Sequence, residues 1–211
     1  GKTRAVPVAF KLIADPENGR PLVGFELGDY DPNLPLTIDP TLVWNAFYSS
    51  SFSRVMDAAI DPTGQYIYAV GYSTSTWGTP LNPYQGGLDI TVAKFDTGMN
   101  LLWNTFLGSA STEMANGVDV DSNGDIYIAG YGNANWGTPA NPYSGTSNNA
   151  IISVLNSDGE YQWHTFLGGT GSTTTGSTIA VSSNAIFIAG LETAASWGSP
   201  ISPFISAANK N

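Results

Sequence analysis

An all-β fold is predicted: four-stranded antiparallel sheets in about three repeats of ~60 residues, preceded by an N-terminal strand segment. Three observations predict it. Short segments return at a fixed spacing, those segments are strand-like and separated by hairpin turns, and turn-forming residues are abundant, with 24 Gly and 13 Pro among 211 residues. The apolar content of 42 % is enough for a core, and long helix-forming runs are few.

The repeat has four registers. LVWNAFYSS around Trp44 returns as LLWNTFLGS around Trp103 and YQWHTFLGG around Trp163, at spacings of 59 and 60 residues. WGTPLNPY at Trp77, WGTPANPY at Trp136 and WGSPISPF at Trp197 return at 59 and 61. Between them lie DPTGQYIYAVG ending at Gly71, DSNGDIYIAG ending at Gly130 and SSNAIFIAG ending at Gly190. DITVAKFDTG from Asp89 matches AIISVLNSDG from Ala150.

Each unit therefore reads as four strands, illustrated by Gly117–Asp121, Asp125–Gly130, Ala150–Asn156 and Tyr161–Leu167. The turns Thr63-Gly64, Asn123-Gly124 and Asp158-Gly159 are hairpin signals, because Gly takes a positive φ without steric cost. Inner runs such as Ile151, Ile152, Val154 and Leu155 do not alternate between apolar and polar residues, so both faces of those strands are covered. Sheets stacked face to face meet that requirement, and four strands make one blade of a β-propeller. Trp44, Trp103 and Trp163 are expected at equivalent, buried positions.

The run W-x-T-F-L-G-G, then G-V-D-V-D-S-N-G-D-I-Y-I-A-G, then A-K-F-D resembles the SBBP-type β-propeller repeats of large bacterial surface and secreted proteins. Pro35–Phe47 resembles the stretch by which such proteins enter their first repeat. The resemblance spans about four-fifths of the chain, from near residue 35 onward. It implies an extracellular or cell-surface setting and brings no catalytic residue. The chain departs from it where Trp-Gly-Thr-Pro or Trp-Gly-Ser-Pro replaces a Phe-Pro turn, and where Tyr48-Ser49-Ser50 replaces Leu-Gly-Gly.

Two regions follow. Residues 1–40 form an N-terminal β segment, a strand donor or cap, with strand-like runs at Val6–Ala14 and Leu22–Leu27; residues 41–211 hold the repeats. The last repeat, from about Gly176, has a first and second strand but no third or fourth. The Trp44 segment is conversely a fourth strand without the other three. Addition of that strand to the last sheet of another copy would make a head-to-tail assembly. The expected partners are thus other copies of the chain or neighbouring repeats of a longer one.

Charge narrows the function. Seventeen acidic residues stand against seven basic ones, and no Lys or Arg occurs between Phe95 and Asn209, so nucleic acid is not an expected partner. No apolar run approaches the roughly 20 residues that span a bilayer, so membrane insertion is not expected. The absence of cysteine removes disulfides and thiolate chemistry.

Three sets of residues are candidate sites. Asp119, Asp121, Asn123 and Asp125 look like the opening of a calcium loop, where alternate oxygens wrap a hard cation. The acid required at the twelfth position falls on Gly130, and the matching stretches Asp61-Pro62-Thr63-Gly64 and Ser182-Ser183-Asn184 lose ligands, so a hairpin turn is the favoured reading and no cofactor is expected. The loops from Trp77 to Tyr84, Trp136 to Tyr143 and Trp197 to Phe204 pair a Trp with a second aromatic ring. Such rings can stack on sugars, which makes carbohydrate binding the alternative to packing over the loop's own blade. His164 is the one histidine and stands where Asn45 and Asn104 stand in the other copies, which favours an ordinary strand residue over a catalytic one. The expectation is a non-catalytic extracellular structural or adhesive module; a carbohydrate-binding module and a glycan-active enzyme are the alternatives.

Overall fold

The computed structural model describes residues 6–14, 21–33, 52–145 and 147–193. The chain divides into two compact units, Gly1–Val43 and Trp44–Asn211. In the first, β1 (Val8–Ala14) and β2 (Pro21–Leu27) form an antiparallel hairpin with Val8 opposite Leu27 and Ala14 opposite Pro21. The Gly28 N–H closes it on the Pro7 carbonyl at 2.8 Å.

The second unit is built of sheets made by consecutive strands. The first holds β3 (Ser53–Ile60), β4 (Tyr66–Ser73), β5 (Asp89–Asp96) and β6 (Leu101–Leu107), in that order. The second holds β7 (Glu113–Val120), β8 (Ile126–Gly132), β9 (Asn149–Leu155) and β10 (Tyr161–Leu167). The third, among the described residues, is the pair β11 (Thr174–Ser182) and β12 (Ala185–Glu192). All strand pairings within the sheets are antiparallel and no helix occurs among the described residues, so the fold is all-β with four-stranded blades, as the repeats require. The predicted turns form as expected, with positive φ at Gly64, Gly124 and Gly159 of 73°, 87° and 83°.

The strands start earlier than the sequence indicates. In each sheet the first strand skips one residue against the second: Met56, Asn116 and Ser177 are bulged at equivalent positions. The apolar pattern breaks at the bulge, which hides the start of β7 at Glu113.

The sheets stack face to face, and the middle one is covered on both sides. Tyr68, Val70, Ile90 and Val92 of the first sheet pack on Ala115, Val118, Val120, Ile126 and Ile128 of the second. On the other face, Ala129, Ile152 and Val154 meet Ile179, with Ile188 beside them. All seven residues of β9 are buried in consequence. Polar clamps fix the spacing. Asp57 Oδ2 accepts the Val118 N–H at 3.0 Å, Asp119 Oδ2 accepts the Val181 N–H at 2.7 Å, and Asn116 Nδ2 donates to the Gly176 carbonyl at 2.8 Å. Lys94 lies over the Tyr66 ring at 4.1 Å and donates to the Ser157 carbonyl at 2.8 Å.

One expectation is corrected. Trp103 and Trp163 occupy equivalent places, but only Trp103 is half-buried, its ring 6.1 Å from that of Tyr68 and covered by the turn at Gly159. Trp163 is 36 % exposed, since the described part of the third sheet has no outer strands to cover it. Trp44 lies outside the described residues. In urea denaturation, Trp103→Ala is therefore expected to cost about 2–3 kcal/mol and Trp163→Ala less than about 1 kcal/mol. Equal losses would mean that neighbouring sheets do not set the burial.

Candidate functional site

The Trp-Gly-Thr-Pro loops lie along the outer edges of the two four-stranded sheets. Strands β6 and β10 leave one row of backbone groups unpaired, and such an edge invites association with other strands. The loop occupies it. The Leu81 N–H reaches the Asn104 carbonyl at 2.8 Å and the Phe106 N–H the Asn82 carbonyl at 3.2 Å; Ala140 to His164 and Phe166 to Asn141 repeat this at 2.9 and 3.0 Å. Asn82 and Asn141 also donate through Nδ2 to the hydroxyls of Thr105 and Thr165, at 3.1 and 3.0 Å.

The loop aromatics are engaged in the same way. Trp77 and Tyr84 meet the Phe106 ring edge-on at 6.3 and 5.9 Å, and Tyr143 meets Phe166 at 5.8 Å. The Tyr84 and Tyr143 hydroxyls donate to the carbonyls of Gly87 and Ser147 at 2.8 and 2.5 Å. Each of these four candidates, Trp136 included, is only half-exposed. Trp197 and Phe204 lie outside the described residues.

His164 repeats the role of Asn104 with different chemistry. Asn104 Nδ2 donates to the Trp77 carbonyl at 2.8 Å, and the Trp136 carbonyl sits against the His164 imidazole. The imidazole stacks on Trp136 with centroids 3.6 Å apart and 1° between planes, and Tyr161 Oη lies 2.6 Å from Nδ1. Burial pushes its pKa down to about 4, against a smaller upward pull from the Trp136 carbonyl. It is thus neutral at pH 7 and fully buried, and among the described residues its neighbours are Trp136, Tyr161 and Phe166.

The structure brings Asp121, Asn123 and Asp125 into one turn and directs Asp119 elsewhere. Asp121 Oδ1 accepts the N–H groups of Asn123 and Asp125 at 2.8 and 3.0 Å, and the Gly124 N–H closes on the Asp121 carbonyl at 3.0 Å. Both Asp119 oxygens take backbone donors, Val120 at 2.9 Å and Val181 at 2.7 Å on the neighbouring sheet. Burial raises the Asp125 pKa, with the Asp121 charge adding to it. Among the described residues, no group of three or more acidic or histidine side chains is placed to hold a metal ion.

Two acids that the sequence reading passed over lie where the first sheet hands the chain to the second. Asp89 opens β5 and Glu113 opens β7, and both are fully buried. Asp89 Oδ1 and Glu113 Oε2 each lie 2.8 Å from the point that a Cβ on Gly108 would occupy, so the carboxylates converge there. Asp89 Oδ2 accepts the Gln85 N–H at 2.6 Å, while Oδ1 has no partner. Glu113 Oε2 accepts the Ser109 N–H at 2.6 Å and Ser109 Oγ at 3.0 Å. Burial raises both, each to about 6, against the hydrogen bonds that lower them.

Four-stranded antiparallel sheets that stack face to face and repeat with the chain are blades of the β-propeller kind. Residues 103–135, from Trp103 to the residue before Trp136, match the family model of the SBBP beta-propeller repeat. The resemblance seen in the sequence is borne out for that stretch. No curated protein matches the chain.

Proposed function

We propose that the chain is a non-catalytic, extracellular structural or adhesive module, and that its stack of blades is continued at both ends by further blades. Neighbouring repeats of a longer chain or further copies of this one would supply them. The observation that carries this reading is a contrast between equivalent residues. On the outer face of the first sheet Val55 and Ile60 are each 65 % exposed, whereas their counterparts in the second, Ala115 and Val120, are 0 % and 9 % exposed. On the outer face of the third, Phe187 and Leu191 are 63 % and 55 % exposed, whereas Tyr68 and Tyr72, their counterparts in the first, are 1 % and 7 % exposed. Both faces are apolar at positions that another blade covers elsewhere in the stack.

In this reading the strand segment around Trp44 completes the last sheet of a second copy, and the contact repeats head to tail. Sedimentation velocity across concentrations tests it. Intact chains are expected to associate, and chains lacking residues 1–48 to remain folded and monomeric, with the added peptide of those residues blocking association of intact chains. A chain that stays monomeric at high concentration, in which the deletion alters only stability, overturns self-assembly. The loops that cover the sheet edges are expected to give no signal on a glycan array and no turnover of chromogenic glycosides.

A further inference from the structure

The junction between the first and second sheets brings together two acids that no basic residue balances among the described residues. Asp89 and Glu113 converge beside Gly108, both at 0 % exposure. Among the described residues, no cation is among the groups that act on either carboxylate. No Lys or Arg occurs between Phe95 and Asn209, and the nearest in sequence, Lys94, is committed to the Ser157 carbonyl and the Tyr66 ring at the opposite end of β5. Two buried carboxylates without a counter-charge are costly in any fold.

The next junction is an internal comparison. There Asn149 stands in the place of Asp89, Thr174 in that of Glu113, and Gly168 in that of Gly108. A Cβ on Gly168 would lie 2.7 Å from Thr174 Oγ1 and 3.0 Å from Asn149 Nδ2, so the geometry is the same. The chain crossing is kept too: the Glu113 N–H meets the Leu88 carbonyl at 2.7 Å, and the Thr174 N–H meets the Asn148 carbonyl at 2.8 Å. Asn149 and Thr174 thus join two sheets in the same way, with the Thr174 hydroxyl donating to the Glu192 carboxylate at 2.6 Å, so this joint holds one acid where the first holds two. A pair of converging carboxylates such as Asp89 and Glu113 is therefore more charge than the joint itself requires.

Both carboxylates are dressed as anions. Each accepts a backbone N–H at 2.6 Å, from Gln85 and Ser109 respectively, and such donors favour the charged form. The one oxygen without a donor, Asp89 Oδ1, is buried and aimed towards Glu113 across Gly108. We propose that Asp89 and Glu113 bind a hard divalent cation of the calcium class, held between Asp89 Oδ1 and the Glu113 carboxylate, with Ser109 Oγ and water completing its oxygen shell. The ion would pin β5 and β7 together, and so the first blade to the second. This site is separate from the Asp119–Asp125 hairpin and does not depend on how the stack is continued.

Isothermal titration of the full chain with calcium chloride at pH 7.5, after EDTA treatment and dialysis, tests the proposal. One ion per chain is expected to bind, and calcium at about a hundred times its Kd to raise Tm by several degrees. The double variant Asp89→Asn/Glu113→Gln is expected to lose both effects, as is the milder Asp89→Asn, which copies Asn149. Asp121→Asn is expected to keep both. Calcium binding that survives in the double variant, or is lost in Asp121→Asn, overturns the assignment. An unaltered titration baseline in the wild-type chain, with a Tm that rises on acidification to pH 5, shows a proton shared between the two acids and overturns it as well.

Discussion

Gly130→Ala is expected to destabilise the protein by more than about 3 kcal/mol. Gly130 pairs with Ala115 beside the bulge at Asn116, and a Cβ there would sit 1.9 Å from the Met114 carbonyl oxygen. That oxygen belongs to the neighbouring strand, so relief requires β7 and β8 to separate locally. The same holds at Gly71 against Arg54 and at Gly190 against Thr175, each with a carbonyl oxygen at 1.8 Å. Gly124→Ala is the control. Its φ is +87°, but the nearest atom to a new Cβ is Ser157 Cβ at 3.4 Å, so the cost is that of a strained turn alone, about 1 kcal/mol. Chemical denaturation of the two variants measures the difference. Equal losses would mean that the approach of the two strands does not make Gly130 obligatory.

These glycines show where the sequence was legible. The repeat of Y-A-V-G, Y-I-A-G and F-I-A-G announced equivalent strands, but the reason for the final glycine lies in a partner strand some 15 residues earlier and in a bulge that no residue type marks. Element type and order could be read because hairpins are local: Thr63-Gly64, Asn123-Gly124 and Asp158-Gly159 each join strands that pair with each other. Burial could not be read so well. Trp103 and Trp163 stand in like sequence contexts, and only the neighbouring sheet distinguishes them. The same holds for the sites. The Trp77 and Trp136 loops were visible as repeats, but their use as edge covers depends on hydrogen bonds to β6 and β10, some 24 residues on. Asp89 and Glu113 are likewise 24 residues apart. Their one sequence signal is a loss of charge between copies, Asp89 becoming Asn149 and Glu113 becoming Thr174.

His164→Asn is expected to change how stability depends on pH. The folded imidazole has a pKa near 4 against 6.5 in the unfolded chain, so on acidification the unfolded chain takes up its proton first. The contribution of His164 is therefore complete above pH 6.5 and is lost as the pH falls through 4. At about 1.4 kcal/mol per unit, that is about 3 kcal/mol across the window. Asp89 and Glu113 act in the opposite sense. Their folded values, each about 6, exceed the 3.8 and 4.5 of free side chains, so their contribution is present below about pH 4 and is lost as the pH rises through 6. The three groups partly cancel, and the wild-type profile between pH 4 and 7 is expected to be shallow in EDTA. Asparagine at 164 removes only the histidine's part. It keeps the amide that Asn104 uses towards the Trp77 carbonyl, and loses the stack on Trp136, which costs about 1 kcal/mol at pH 7. At pH 4 the variant is then the more stable protein, and the two stability curves cross between. Urea denaturation at half-unit pH intervals measures both curves. Parallel curves would mean that His164 is protonated in the folded chain as readily as in the unfolded one, and that its burial against Trp136 and Tyr161 does not hold in solution.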